Sequence, residues 1–276
     1  MTQAVVSEVT AKAPQEKESP PSERMFTFAE YLEYEGEPDV LYELCRGKLI
    51  PMSAATHLHT NICKFLLYKL QRYFVDQNLD LVANSLATGV RTEENSSRIP
   101  DVVVCSQTVW EQAIDRPGAG VLDFAEKPIL VVEVVSSNAR DDYVTKRYEY
   151  EMAEIPEYWI VDPQKKRVRV LANPSKVEGY SFVDFTEEQS IVSSQFEQLV
   201  LSVKELLAPP LVELLMKAEQ AKMKTMAQEI LSERQRAETE HQRAETERQR
   251  AETERQRAEK LAQRLLEMGV NPSEIN

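Results

Sequence analysis

Glycine is scarce in this chain, with 7 in 276 residues, and no Gly-rich phosphate loop or Ser/His/Asp triad can be picked out. Nucleotide cradling and serine-hydrolase chemistry are therefore not expected. Cysteine is scarcer still. Cys45, Cys63 and Cys105 are an odd number without CxxC spacing, which argues against a disulfide scaffold and for a reducing, cytoplasmic compartment. No run of about 18 apolar residues exists, so no transmembrane helix is expected. Residues 1–24 lack the basic start and apolar stretch of a secretory signal. They are rich in Glu, Lys, Pro and Ser without periodicity, and read as a disordered leader. A basic excess is missing as well. The formal net charge is −13, and residues 209–276, with 12 Lys and Arg against 13 Asp and Glu, leave −12 on residues 1–208. Non-specific coating of a duplex is driven by phosphate neutralisation, which such a body does not favour.

What the chain does have is carboxylates inside apolar runs. Pro100-Asp101-Val102-Val103-Val104-Cys105 and Ile129-Leu130-Val131-Val132-Glu133-Val134-Val135 both read as buried strands, each carrying one acid. A lone carboxylate in such a strand is costly unless it is hydrogen-bonded, paired or bound to a metal. Lys146 follows on a predicted helix, and Glu157-Tyr158-Trp159-Ile160-Val161-Asp162 closes the set as a third strand.

Around this centre the elements alternate. Thr27 and Glu30 form a capping box for a short helix that ends near Gly36. Tyr42–Cys45 and Leu49–Met52 flank a Gly47 turn as a hairpin. Leu58, Ile62, Phe65, Leu66, Leu70, Tyr73 and Phe74 recur at spacings of three and four, which predicts an amphipathic helix over residues 55–75. Strands over 79–84 and 89–92, a helix over 107–114, a helix from Asn138 or Asp141 to Ala153, strands over 167–171 and 180–185, and a short helix over 203–207 complete the domain. The pattern implies a mixed α/β (α+β) sheet over residues 25–208. From Leu211 the chain changes character. Arg-Ala-Glu-Thr-Glu-X-Gln recurs every seven residues from Arg236, Arg243 and Arg250, within a long charged helix over 209–268 and before a tail over 269–276. One seam position is apolar or Ala throughout (Met216, Met223, Ile230, Ala237 and onward to Leu265), whereas the other is mostly Glu. Either a weak coiled coil or a solvated single helix held by Glu/Arg pairs fits.

As a set, Pro100-Asp101, Val132-Glu133-Val134-Val135-Ser136, Lys146 and Tyr158-Trp159-Ile160-Val161-Asp162-Pro163 resemble the Uma-type restriction endonuclease family, a branch of the PD-(D/E)XK nuclease superfamily. The resemblance covers residues 26–207, including Tyr42-Glu43-Leu44, and leaves the heptad helix outside. It implies a restriction-endonuclease-like core and Mg²⁺-dependent hydrolysis of phosphodiesters in DNA, with Mn²⁺ as a substitute. Asp101 and Glu133 would hold the metal, joined by the backbone carbonyl of Val135. The lysine that the plain motif places two residues after Glu133 is replaced by Val135, and Lys146 takes its part. Glu43 matches a further acidic position that could hold a second metal or take a proton.

Each residue also has a blander reading. Asp101 could cap a turn, Glu43 could be an exposed hairpin acid, and Asp142 with Lys146 could be a surface i,i+4 salt bridge. Tyr150, Tyr158 and Trp159 read as core. His59 and Cys63 are also i,i+4, with His57 nearby, but no second close ligand pair follows them. Zinc is therefore not expected, and a substrate-side role for His59 ranks above it. The competing functional reading is a nuclease-fold module without turnover, which would assemble with itself or with a partner through residues 211–268. The acidic body and the displaced lysine motivate it. A purely structural coiled-coil protein would have no use for the strand-borne acids.

Overall fold

The computed structural model describes residues 24–85, 87–136 and 139–269, so the expected leader, apart from Arg24, lies outside the described residues. Among the described residues, thirteen strands run in chain order: β1 (Tyr42–Cys45), β2 (Lys48–Pro51), β3 (Leu81–Ser85), β4 (Gly89–Glu93), β5 (Ser96–Arg98), β6 (Val102–Ser106), β7 (Val121–Leu122), β8 (Leu130–Val134), β9 (Glu157–Asp162), β10 (Arg167–Ala172), β11 (Ser181–Thr186), β12 (Ser190–Ile191) and β13 (Leu201–Ser202). The helices are α1 (Phe28–Leu32), α2 (His57–Asp76), α3 (Gln107–Ile114), a π-helical turn (Asp141–Lys146) running into α4 (Arg147–Met152), α5 (Val203–Leu207) and α6 (Val212–Glu267). The chain divides into two compact units, one ending at Val212 and the other beginning at Glu213.

Two sheets build the first unit, with β12 and β13 as a separate pair. The larger sheet has the order β11-β10-β9-β8-β6-β3 and is antiparallel except where β8 and β9 run parallel. A parallel pair needs a crossover, and the π-helical turn with α4 supplies it. The smaller sheet has the order β2-β1-β5-β4-β7, antiparallel except for β4 with β7. Its first hairpin closes through Arg46 (φ 48°) and Gly47 (φ 81°), two left-handed residues that match a two-residue primed turn.

The central strands are buried because their sequences are continuous apolar runs, as expected of strands covered on both faces. Every residue of β8 and β9 is buried, as are Val102, Val103, Val104 and Cys105 of β6. On α2 the predicted spacing holds, with Ile62, Cys63, Phe65, Leu66, Leu70 and Phe74 facing inward, although Leu58 is exposed. The capping box of α1 forms with both of its hydrogen bonds.

Strand β5 has no counterpart in the sequence reading. Ser96-Ser97-Arg98 shows no apolar alternation, yet all three residues are buried. It pairs with β1 and β4; Ser96 donates to Glu93 of β4 and Arg98 to Glu149 of α4. From its end the chain passes through Ile99-Pro100-Asp101 into β6, crossing from the smaller sheet to the larger one. In the second unit, α6 is one continuous helix with no buried residue among those described. Thr239, Thr246 and Thr253 each donate to the carbonyl four residues back at 2.8 Å, so the helix backbone satisfies the hydroxyl of each repeat.

Candidate active site

The crossing between the sheets fixes the site. Paired residues of β6 and β8 run Val104 with Leu130, Val103 with Val131 and Val102 with Val132, and one further step sets Asp101 opposite Glu133. Residues directly opposite in an antiparallel ladder have Cβ atoms about 5 Å apart. The ladder ends here, and the Asp101 carboxylate takes over, its Oδ2 accepting the Val134 N–H at 2.7 Å. In the smaller sheet, Leu44 pairs with Ser97, so the next step sets Glu43 opposite Arg98. The two are joined at 2.9 Å, and Glu43 also accepts the Ile99 N–H at 3.0 Å. Two ladder ends, one from each sheet, thus bring four charged residues to one place.

The crossover supplies the fifth. Lys146, the last residue of the π-helical turn, reaches Glu133 at 2.9 Å, Glu43 at 3.4 Å and Asp142 at 3.8 Å. A π-helical turn is uncommon and recurs at functional sites. The blander reading of Asp142 and Lys146 is corrected here. They are an i,i+4 pair, but both are buried, because the turn faces the sheet end rather than water. Glu43 is likewise buried rather than an exposed hairpin acid. Tyr150 does lie in the core, and in addition its hydroxyl donates to Glu133 at 2.8 Å. Val135 follows β8 with its N–H bonded to the Val161 carbonyl.

Behind this group stands a second layer. Arg98 forks onto Glu149 of α4 through Nε at 2.6 Å and Nη2 at 2.9 Å, a bidentate pair in the interior. Thr92 of β4 donates to the same carboxylate at 3.4 Å. Arg98 therefore ties β1, β5 and α4 together and sets the position of Glu43. The sequence reading missed both Arg98 and Glu149. Arg98 sits in a polar strand with no periodicity, and Glu149 reads as one more surface acid of a charged helix.

Five buried carboxylates, Glu43, Asp101, Glu133, Asp142 and Glu149, meet two buried cations, Arg98 and Lys146. Burial pushes Glu133 well above the usual carboxylate range, and Asp101, Asp142 and Glu43 add to that while Lys146 opposes it. Burial likewise raises Asp142 to about 7, again against the pull of Lys146. Burial would also raise Glu43, but Lys146, Arg98 and the Ile99 N–H together hold it below its ordinary value. For Lys146, burial disfavours the ammonium, yet Glu133, Glu43 and Asp142 outweigh it and the group stays charged.

Not every buried acid belongs here. Glu157 of β9 accepts from Trp159 Nε1, the Ser194 amide and hydroxyl and the Gln195 amide, so neutral donors saturate it and it anchors the 193–195 loop. Asp101 and Glu133 have smaller sets, the Val134 N–H and His59 for Asp101 and the Tyr150 hydroxyl and Lys146 for Glu133. Their carboxylate oxygens are hard ligand atoms beside an excess of negative charge, which suits an Mg²⁺-like ion that takes one or two carboxylates and completes its octahedron with water and phosphate.

The sequence model of the Uma2 family, described as "Putative restriction endonuclease", matches residues 28–204. No curated protein matches the chain. Among solved structures, a "putative nuclease belonging to DUF820" from Anabaena variabilis ATCC 29413 is similar, at 21% identity and a TM-score of 0.53, covering 66% of this chain and 98% of that one. At that identity the likeness is one of fold, and the fold is nuclease-like. No helix among the described residues is long and apolar enough to cross a membrane.

Proposed function

The chain belongs to the Uma2 family, and from that membership together with the site we propose that it is a metal-dependent endonuclease hydrolysing phosphodiester bonds in DNA, with Mg²⁺ as cofactor and Mn²⁺ able to replace it. The observation that carries the reading is the excess of buried carboxylates at the crossing of the two sheets, with Asp101 and Glu133 opposite one another at its centre. Burying that much like charge is unfavourable without a counter-ion, and a divalent cation supplies one.

Asp101 and Glu133 would hold the cation, with the Val135 carbonyl a third candidate ligand at the same strand end. When bound, such a cation lowers the pKa of a water and offsets charge on a phosphate. The remaining work falls to the chain. Lys146 is held as an ammonium by three carboxylates, so it does not act as a base. It fixes Glu133 and presents positive charge where a scissile phosphate would gain negative charge. Glu43, with its proton affinity lowered, serves better as the anchor of Lys146 than as a proton acceptor. Asp142, raised to about 7, is the group whose proton affinity suits transfer near neutral pH. Arg98 and Glu149 hold these groups in place from behind.

Mg²⁺ and Mn²⁺ titrated by calorimetry into the wild-type chain and into Asp101→Ala, followed by incubation of the same samples with plasmid DNA, test the proposal. Binding and nicking are expected in the wild type and absent in the variant. An absence of heat at millimolar metal would sink the site. Binding without nicking of DNA would move the weight to the assembly reading, in which the nuclease fold is kept without turnover.

A further inference from the structure

A second set of ligands shares one residue with the site above. His59 and Cys63 lie one turn apart on α2, and the Thr56 hydroxyl at its N-cap accepts the His59 amide. His59 Nε2 lies 2.8 Å from Asp101 Oδ1. Cys63 is buried, and one ligand atom each from His59, Cys63 and Asp101 all lie within 4.8 Å of one another. From the sequence this pair lacked further ligands, and His57, its nearest neighbour of the right type, is exposed. The third ligand arrives instead from 42 residues away, at the sheet crossing.

The donors are one imidazole nitrogen, one thiol sulfur and one carboxylate oxygen. That mixture is a poor match for Mg²⁺, which demands oxygen, and a good match for Zn²⁺, which takes nitrogen and sulfur and accepts three protein ligands plus water. Ligand atoms around a tetrahedral zinc stand about 3.3–3.8 Å apart, so rotamer adjustments of roughly 1 Å would close the set. A thiolate also selects zinc over harder ions. The cation would enter at the His59–Asp101 contact, taking the place of the proton between them.

We propose that His59, Cys63 and Asp101 form a distinct site for a thiophilic divalent cation, with Zn²⁺ the best match, and that filling it withdraws Asp101 from the Mg²⁺ site and opposes cleavage. The first half stands on the three ligands alone. The second half rests on the function proposed above.

Co²⁺ reports the first half directly, because a thiolate bound to cobalt absorbs in the near ultraviolet. The reduced full-length chain is expected to develop that band with one equivalent of Co²⁺ and to lose it when Zn²⁺ is added. Cys63→Ser should abolish the band, and His59→Gln, which leaves the thiol in place, should weaken binding by about tenfold or more. A wild-type chain without the band, or a band of equal strength in Cys63→Ser, would overturn the site. The second half is read by Mg²⁺ calorimetry with and without one equivalent of Zn²⁺. The apparent Mg²⁺ affinity should fall by about tenfold or more in the wild type and stay unchanged in Cys63→Ser. Equal Mg²⁺ affinity with zinc bound would overturn the competition. If the zinc-free chain binds no Mg²⁺, the proposed function falls while the cobalt band still decides the ligand set.

Discussion

At the scale of single residues, the balance of charge turns on Lys146. It touches Glu133, Glu43 and Asp142, and among the described residues no other buried cation is paired with Glu133. Lys146→Met should therefore destabilise the cation-free protein by about 3–5 kcal/mol at neutral pH, because Glu133 and Asp142 lose their ammonium partner and Glu43 is left with Arg98. Thermal denaturation checks this, and added Mg²⁺ should restore part of the loss while DNA nicking stays abolished. Asp142 gives a pH signature. Its folded pKa, about 7, lies above its ordinary 3.8, so the folded chain binds that proton more tightly than the unfolded chain does. The stability it contributes is full below pH of about 4 and is lost as pH rises through about 7, a change of about 4 kcal/mol at most. Asp142→Asn should flatten that part of the curve of melting temperature against pH. Glu43 works in the opposite sense, because its depressed pKa contributes stability above its ordinary 4.5 that is lost on acidification.

At the scale of elements, the site depends on three segments that Arg98 holds in register. The guanidinium meets Glu43 of β1 and Glu149 of α4 from its own place at the end of β5. Arg98→Lys keeps the charge but cannot reproduce a planar fork onto two carboxylates. We expect it to fold with a stability loss of about 1–3 kcal/mol and to bind Mg²⁺ more weakly, because Glu43 and through it Lys146 are less firmly placed. Calorimetry and thermal denaturation of the same variant measure both effects. The strands and helices that carry the acids are legible in the sequence, because long apolar runs and a 3.6-residue period leave few alternatives. β5 is not legible, since its polar residues become a buried strand only when β1 and β4 flank it and the distant Glu43 and Glu149 satisfy Arg98.

At the scale of the whole molecule, the compact unit ending at Val212 and the helix beyond it carry different physics. The first buries an apolar core, whereas α6 has no buried residue among those described and leaves Met216, Met223, Met226 and Ile230 exposed. We therefore expect a chain ending at Val212 to fold and to bind Mg²⁺ as the full chain does. Self-association should be confined to the full chain and should weaken on dilution, because Glu occupies most of the second seam position. Sedimentation of both chains over a range of concentrations checks this. Equal behaviour would leave α6 a solvated single helix, held by pairs such as Arg255 with Glu259 at 3.1 Å.

The sequence by itself determined the mixed α/β class, the central strands, the long terminal helix and the candidates Glu43, Asp101, Glu133 and Lys146. Each of these follows from a local signal: an acid inside an apolar run, a period, a cap or a motif. Only the tertiary structure decided that Glu43 and Asp142 are buried with Lys146, that Arg98 and Glu149 stand behind them, and that His59 and Cys63 meet Asp101. His59 with Asp101 spans 42 residues of chain, and Arg98 with Glu149 spans 51. The reason is physical. A charged side chain reads as solvated until a second element removes its water, and which element does so is set by how the two sheets cross rather than by any neighbour in sequence.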